Sequence, residues 1–246
     1  MQAEILHRDN RHRITLFRGS GAGRAVVGFE HGQDKPMQGF LPATCPRFAE
    51  RLGIDALVVQ TTRRDWFISP KSAALARALR QATADYAEVT VTGFSMGGYA
   101  ALLYSTACHA RRAMLVSPQY SIDPQVAPFD PDRHVKFARI GLPMPLPQSQ
   151  GDTGLGGLLL YDPAIAADRA HAALIRASFP RLVPVTLPHG GHPATGVIGG
   201  VGGIGQLAEM VIEDRIDPAR IRQMHRAARR DSPLYRPRLA ESALTR

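Results

Sequence analysis

The stretch VTVTGFSMGGYAALLYS, residues 89–105, decides the fold. Its first half alternates β-branched residues, which is typical of a strand, and its second half is an apolar run typical of a helix. Ser95 stands where the strand passes into the helix, with Gly93 and Gly97 two residues to either side. A side chain at either glycine would strike the adjoining strand or helix. The pattern indicates either a tight turn alone or, as we favour, a nucleophilic serine at the positive end of the helix dipole.

Strand-like and helix-like segments alternate along most of the chain. The strand patterns are RITLF, RAVVGFEH, IDALVVQT, EVTVTG, RAMLVSP, GGLLLYD and LVPVTLP. The helical patterns are CPRFAERLG closed by Gly53, SPKSAALARALRQATADYA capped by Ser69, Met96 to about Ala107, PAIAADRAHAALIRASF, and Ile204 to Glu213. This alternation predicts an α/β fold, with a mostly parallel central sheet and helices on both faces.

We expect one domain over residues 1–246, because no linker or internal repeat divides the chain. Residues 118–155 form a short Pro-rich insertion that we interpret as lid-like. Residues 217–246 form a basic C-terminal extension, expected to be a charged helix followed by a loose tail.

Composition narrows the class of protein. The 246 residues are 44% hydrophobic, enough for a core, and no segment approaches the roughly 18 apolar residues of a membrane span. Residues 1–13 lack the apolar region of a signal peptide, so we expect a cytoplasmic protein. The net charge is +9, but the arginines are dispersed and no zinc-finger spacing or aromatic RNA-binding signature accompanies them. We therefore expect a solvated basic surface rather than nucleic-acid binding, and the oligomeric state stays open.

Neither a metal nor a cofactor is predicted. Cys45 and Cys108 have no metal-like spacing. Residues 200–205, GVGGIG, match the dinucleotide pattern Gly-x-Gly-x-x-Gly. They come near the end of the alternating segments, however, and leave too little chain for a nucleotide-binding half.

Residues 89–105 resemble the nucleophile elbow of the α/β-hydrolase superfamily, and the element order over residues 13–213 is similar to that of the same family. The resemblance implies an α/β-hydrolase fold with a small or minimal lid. It also implies a serine hydrolase that cleaves a small-molecule carboxylic ester or thioester through an acyl-enzyme on Ser95. Two alternatives stay open: an acyltransferase with the same triad, for example acting on a sugar hydroxyl, and a non-catalytic hydrolase-like binding protein.

In this family an acid and then a histidine follow the nucleophile along the chain. The loop after LVPVTLP contains His189 and His192, and its GGH pattern favours His192 as the base. His189 is expected either to contact the substrate or to support a catalytic residue. Asp162, at the end of GGLLLYD, fits the place of the acid better than Asp168 does. Asp168 is the alternative acid, or a residue that caps the following helix.

A tetrahedral oxyanion needs two donors. The resemblance assigns them to the backbone N–H of Met96 and to Gln33, in the loop VVGFEHGQD. We expect His31, in the same loop, and Trp66, which follows a strand, to line the substrate site. A structural role for Trp66 fits its position equally well. Residues 117–123, SPQYSID, also resemble a stretch of bacterial hydrolase-like proteins, some of which are associated with surface-polysaccharide modification.

Overall fold

The computed structural model describes residues 1–20, 23–30, 39–200 and 202–244. Eight strands form one sheet in the spatial order β1-β2-β4-β3-β5-β6-β7-β8. They are β1 (Ala3–Arg8), β2 (His12–Phe17), β3 (Arg24–Phe29), β4 (Asp55–Thr61), β5 (Glu88–Phe94), β6 (Ala110–Val116), β7 (Gly156–Tyr161) and β8 (Leu182–Thr186). The six neighbouring strands β4-β3-β5-β6-β7-β8 pair in parallel. At one edge, β2 pairs antiparallel with β4, and β1 pairs antiparallel with β2. The predicted α/β class and mostly parallel sheet are confirmed.

The edge strand β1 was not predicted. It pairs with β2 in a register that sets Ala3 opposite Phe17, and nearly all of its side chains are exposed. A strand that buries neither face shows no apolar alternation, so periodicity does not reveal it. Its charged residues suit an exposed edge, where they discourage pairing with another chain.

The helices lie on both faces of the sheet. They are α1 (Arg47–Leu52), α2 (Ser72–Thr83), α3 (Met96–Leu103), α4 (His134–Ile140), α5 (Ala166–Ser178), α6 (Gly196–Gly199), α7 (Gly203–Ile212), α8 (Pro218–Ala228) and α9 (Tyr235–Leu244). Gly53 ends α1 in the left-handed region, with φ 63°, as its sequence position predicts. The predicted cap at Ser69 is wrong: α2 starts at Ser72, and Ser69 Oγ accepts the N–H of Lys71 in the turn before it.

Each face of the sheet has its own apolar core, because neighbouring side chains on a strand point to opposite faces. Val27 and Leu159 belong to the core that also contains residues of α2 and α3. Val26 and Leu160 belong to the core that contains residues of α1, α7 and α8. Strand β4 is buried along its whole length, as its continuous apolar pattern predicts.

The C-terminal extension is more ordered than a loose tail. Helix α8 begins with Asp217 as its N-cap, whose carboxylate accepts the N–H groups of Ala219 and Arg220. Ile221 and Ala228 of α8 are buried in the second core. A further helix, α9, follows. Its prolines are compatible with it, because Pro233 precedes the helix and Pro237 falls in its first turn, where a missing N–H costs nothing.

Candidate active site

Ser95 occupies a strained turn between β5 and α3. Its backbone has φ 52° and ψ −116°, a conformation that side-chain-bearing residues rarely adopt. Backbone hydrogen bonds hold it; in the two shortest, the Ser95 N–H donates to Val116 O at 2.9 Å and Ser95 O accepts from Gly98 N–H at 3.0 Å. A Cβ at Gly93 would collide with the backbone of Gly97, so the glycine there is required by sterics as predicted.

His192 meets Ser95 from the loop after β8. Its Nε2 lies 2.8 Å from Ser95 Oγ, and its Nδ1 lies 2.8 Å from Asp168 Oδ1. Asp168 is buried in the first turn of α5, whose start has no side-chain cap. Three side chains from separate elements therefore form one continuous hydrogen-bonded chain.

We expected Asp162 rather than Asp168 to contact His192, but in the structure the contact is made by Asp168. The buried Asp162 carboxylate accepts backbone N–H groups instead, from His189 at 3.1 Å, Gly191 at 2.8 Å and Ala164 at 2.9 Å. Two of these donors belong to the loop that carries His192. Asp162 at the strand end thus shapes the loop, whereas Asp168, farther along the chain, faces the imidazole.

Helices α8 and α9 also contact this loop. His225 Nε2 lies 2.9 Å from Pro188 O, and Arg238 donates to Gly190 O. Burial lowers the pKa of His225, which keeps its imidazole neutral with the Nε2 proton available to the carbonyl. The ring of His189 packs edge-on against Tyr235 and is not among the residues that line the cavity beside Ser95, so its predicted place at the substrate is not seen.

Gln119 is a polar contact of Ser95 that the sequence did not reveal. It is fully buried just after β6, and its Nε2 donates to Ser95 Oγ at 2.8 Å. Its Oε1 accepts from Trp66 Nε1 at 3.1 Å. Because an indole nitrogen can only donate, this bond fixes the amide with its NH₂ group towards Ser95. Trp66 therefore lies at the site, where it lines the cavity and orients Gln119.

Arg133 is a second unpredicted neighbour. Its Nη2 lies 3.3 Å from His192 Nε2, and its Nη1 donates to buried Asp130 at 2.7 Å. The other Asp130 oxygen lies 2.9 Å from His171 Nε2. Burial opposes ionisation of Asp130, but the bonds from His171 and Arg133 outweigh it and hold the Asp130 pKa below its usual value.

A cavity of about 860 Å³ opens beside these residues. Its lining combines the elbow, apolar side chains and a few charged ones: Phe29, Glu30, Arg64, Trp66, Phe94, Ser95, Met96, Arg133, Lys136 and His192 are among them. Arg133 and Lys136 come from the insertion between β6 and β7, so that segment covers part of the site. A second cavity, of about 760 Å³, lies at the amino ends of β6 and β7, remote from Ser95. Because ligands of parallel sheets bind at the carboxyl ends of the strands, we assign the site to the first cavity.

Met96 begins α3, so its N–H belongs to the helical donors that have no partner within the helix. His31 and Gln33 lie outside the described residues. The predicted second oxyanion donor and one predicted substrate contact therefore have no place in the described site.

Neither a family model nor a curated protein matches the sequence. Solved structures do. A hyperthermophilic esterase from the archaeon Pyrobaculum calidifontis superposes with a TM-score of 0.54 at 17% identity, over 88% of this chain and 86% of that one. Est1E from Butyrivibrio proteoclasticus gives 0.52 at 14% identity, over 83% and 96%. The capsule O-acetyltransferase of Neisseria meningitidis serogroup A gives 0.55 at 12% identity, over 81% and 93%.

The chain has the α/β-hydrolase fold. Within the hydrolase fold a nucleophile elbow stands between strand and helix, and the acid and histidine follow it in chain order. Ser95, Asp168 and His192 keep that order. No helix in the described part of the chain combines the length and apolarity needed to cross a membrane.

Proposed function

We propose that the protein is a serine hydrolase that cleaves a carboxylic ester or thioester through an acyl-enzyme on Ser95. The observation that carries the proposal is the hydrogen-bonded chain Ser95–His192–Asp168, with both contacts at 2.8 Å. Nucleophile, base and orienting acid at these distances are the arrangement that activates a serine.

In the proposed acylation, Ser95 Oγ attacks the carbonyl carbon and its proton passes to His192 Nε2. The carbonyl π electrons move to the oxygen, which becomes the oxyanion. Collapse expels the alcohol or thiol, which takes the proton from His192. Water then repeats the sequence on the acyl-enzyme and releases the acid. Asp168 accepts the Nδ1–H throughout, which fixes the imidazole tautomer and stabilises the imidazolium.

Two groups donate hydrogen bonds to the oxyanion in this proposal. One is the backbone N–H of Met96, at the positive end of α3. The other is the side-chain amide of Gln119, which is 2.8 Å from Ser95 Oγ and fixed by Trp66. Since the oxyanion forms one carbon away from Oγ, a donor at this place reaches it with little movement. Gln33 remains the donor that the family resemblance implies.

The test is labelling with a fluorophosphonate probe, with turnover of short p-nitrophenyl esters measured in parallel. We expect the label on Ser95 by peptide mass spectrometry and complete loss of labelling and turnover in Ser95→Ala. Ser149→Ala is the matched control, because Ser149 lies in an exposed turn of the insertion. A folded wild-type protein that takes no label would contradict the proposal.

An acyltransferase is the second candidate, favoured by two observations. The cavity of about 860 Å³ has room for an acceptor beside the acyl-enzyme, and the similar structures include a capsule O-acetyltransferase. In this version a hydroxyl takes the place of water, and His192 removes its proton. Product analysis with and without a sugar acceptor separates the two: an acylated sugar formed at the expense of free acid identifies transfer.

A further inference from the structure

Arg133 lies beside the histidine nitrogen that would exchange a proton with the departing or entering oxygen. Its Nη2 is 3.3 Å from His192 Nε2, the same nitrogen that contacts Ser95 Oγ at 2.8 Å. That nitrogen delivers a proton to the leaving alcohol and removes one from the attacking hydroxyl. The guanidinium therefore borders the alcohol side of the cavity, whereas the Gln119 amide donates to Ser95 Oγ at 2.8 Å and lies 3.5 Å from His192 Nε2.

The position of Arg133 is imposed by a buried carboxylate. Asp130 is 2% exposed, and its two oxygens are used by Arg133 and by buried His171. His171 Nδ1 accepts the backbone N–H of Tyr120 at 3.2 Å, so its Nε2 carries the proton that goes to Asp130. Removing Arg133 from this place would leave a buried carboxylate without its cation, which is unfavourable. The guanidinium is thus preorganised at the cavity.

A fixed cation beside the general base is a disadvantage for a neutral substrate. The imidazolium that forms in the transition state has the same charge, and the two repel across a short distance. The Asp130 carboxylate offsets part of this repulsion, and an anion on the substrate would reduce the remainder and would also accept hydrogen bonds from the guanidinium. The other charged groups that line the cavity in the described part of the chain are Arg64, Lys136 and Glu30, so cations exceed carboxylates there.

We propose that Arg133 forms a subsite for a carboxylate on the alcohol part of the substrate, that is, on the leaving group or on the acceptor. The subsite rests on the proposed function for its catalytic meaning, because the alcohol side is defined by His192. Its physical basis, a guanidinium fixed in the cavity wall by Asp130, is independent of turnover.

The kinetic test compares two acetate esters, 4-carboxyphenyl acetate and the neutral 4-carbamoylphenyl acetate. A substitution that changes kcat/KM equally for both esters leaves the ratio of the two values unchanged, so the ratio reports only the effect of the carboxylate. We expect Arg133→Gln to lower the ratio of anionic to neutral ester by about 10- to 100-fold, in line with loss of a charge-assisted pair. Arg133→Lys keeps the charge but loses the planar fork of the guanidinium, so its ratio should lie between those of the wild type and Arg133→Gln. Arg139→Gln removes the same charge from the exposed side of α4 and should leave the ratio within about twofold.

An unchanged ratio in Arg133→Gln, with the wild type turning over both esters, would overturn the subsite and leave the hydrolase proposal intact. If the wild type turns over neither ester, the proposed function fails and binding decides the subsite. Calorimetry should then show 4-hydroxybenzoate binding more tightly than 4-hydroxybenzamide, with the difference lost in Arg133→Gln. Equal binding of the two would overturn the subsite.

If circular dichroism shows that Arg133→Gln does not fold, the wild type and Arg133→Lys are compared instead. The wild-type ratio is then expected to fall as sodium chloride is added, because salt screens the pair. A ratio that neither salt nor Arg133→Lys changes would overturn the subsite.

Discussion

Replacing Asp168 with asparagine distinguishes the roles of the two acidic residues near the histidine loop, that is, residues 187–195, which connect β8 to α6 and carry His192. The amide has the same shape, but when its NH₂ group takes the place of Oδ1, which is 2.8 Å from His192 Nδ1, a donor replaces the acceptor there. An imidazole without its acceptor at Nδ1 takes the wrong tautomer and cannot receive the proton of Ser95. In a serine triad this loss is about 10⁴-fold in kcat, or about 5 kcal/mol of transition-state stabilisation. Stability should change little, because Asp168 caps nothing.

The matched variant is Asp162→Asn, which should show the opposite profile. Its carboxylate accepts three backbone N–H groups, two of them from the histidine loop, so an amide nitrogen turned towards them loses at least one bond. A buried donor left unsatisfied costs about 1–3 kcal/mol. At about 2–4 °C per kcal/mol for a chain of this size, Tm should fall by several degrees. Loosening of the loop should lower kcat far less than the change at Asp168.

Steady-state kinetics on p-nitrophenyl acetate and thermal unfolding of both variants check this pair of expectations. A 10⁴-fold loss in Asp162→Asn together with near wild-type turnover in Asp168→Asn would refute the assignment of Asp168. Full activity in both variants would refute an aspartate in the triad at all.

Three other perturbations test other parts of the site and fold. Gln119→Leu should lower kcat by about 10²–10³ with little change in KM, since the role we propose for its amide is to stabilise the oxyanion; an equal rise in KM would contradict that role. Burial lowers the pKa of His12 from its ordinary value of 6.5 to about 4. Between pH 6.5 and pH 4 the unfolded chain therefore binds a proton at His12 that the folded protein does not bind. Stability should therefore fall by about 3 kcal/mol as pH drops from 6.5 to 4, and His12→Phe, which keeps the stacking on Phe67, should abolish most of that loss in denaturant titrations. Arg238→Met should lower kcat more than Arg236→Met, because only Arg238 donates to the histidine loop at Gly190; equal kcat values would show that α9 does not support the loop.

The parts of the fold and site that the sequence predicts are local. The elbow at Ser95 combines a strand, a strained turn and a helix within one short segment, so its glycines and β-branched residues reveal it directly. His192 follows from its place after the last strand. Both depend on neighbours in the sequence and on element order, which patterns record.

The remaining parts depend on directions that no pattern records. Asp162 and Asp168 are six residues apart, and the choice between them rests on which carboxylate faces the imidazole and which accepts the backbone N–H groups of the histidine loop. Gln119 and Arg133 reach the site from a Pro-rich insertion without periodicity. The sequence gives one indication of the position of Gln119. It follows the end of β6 by three residues, and β6 is the neighbour of β5, which carries the elbow.

The extension after Asp217 shows the same limit. Its composition predicts a charged helix followed by a loose tail, yet α8 packs on the core and both terminal helices contact the histidine loop. Deleting residues 218–246 is therefore expected to reduce catalysis as well as stability.

The central claim, an acyl-enzyme on Ser95, is tested most directly by quenching the wild-type protein with acid during turnover of p-nitrophenyl acetate. Intact mass spectrometry should show a species heavier by one acetyl group, and peptide mapping should place it on the segment containing Ser95. Asp168→Asn should accumulate this species more slowly, and Ser95→Ala should not form it. Turnover without any acetylated protein, or an acetyl group on another residue, would contradict the account.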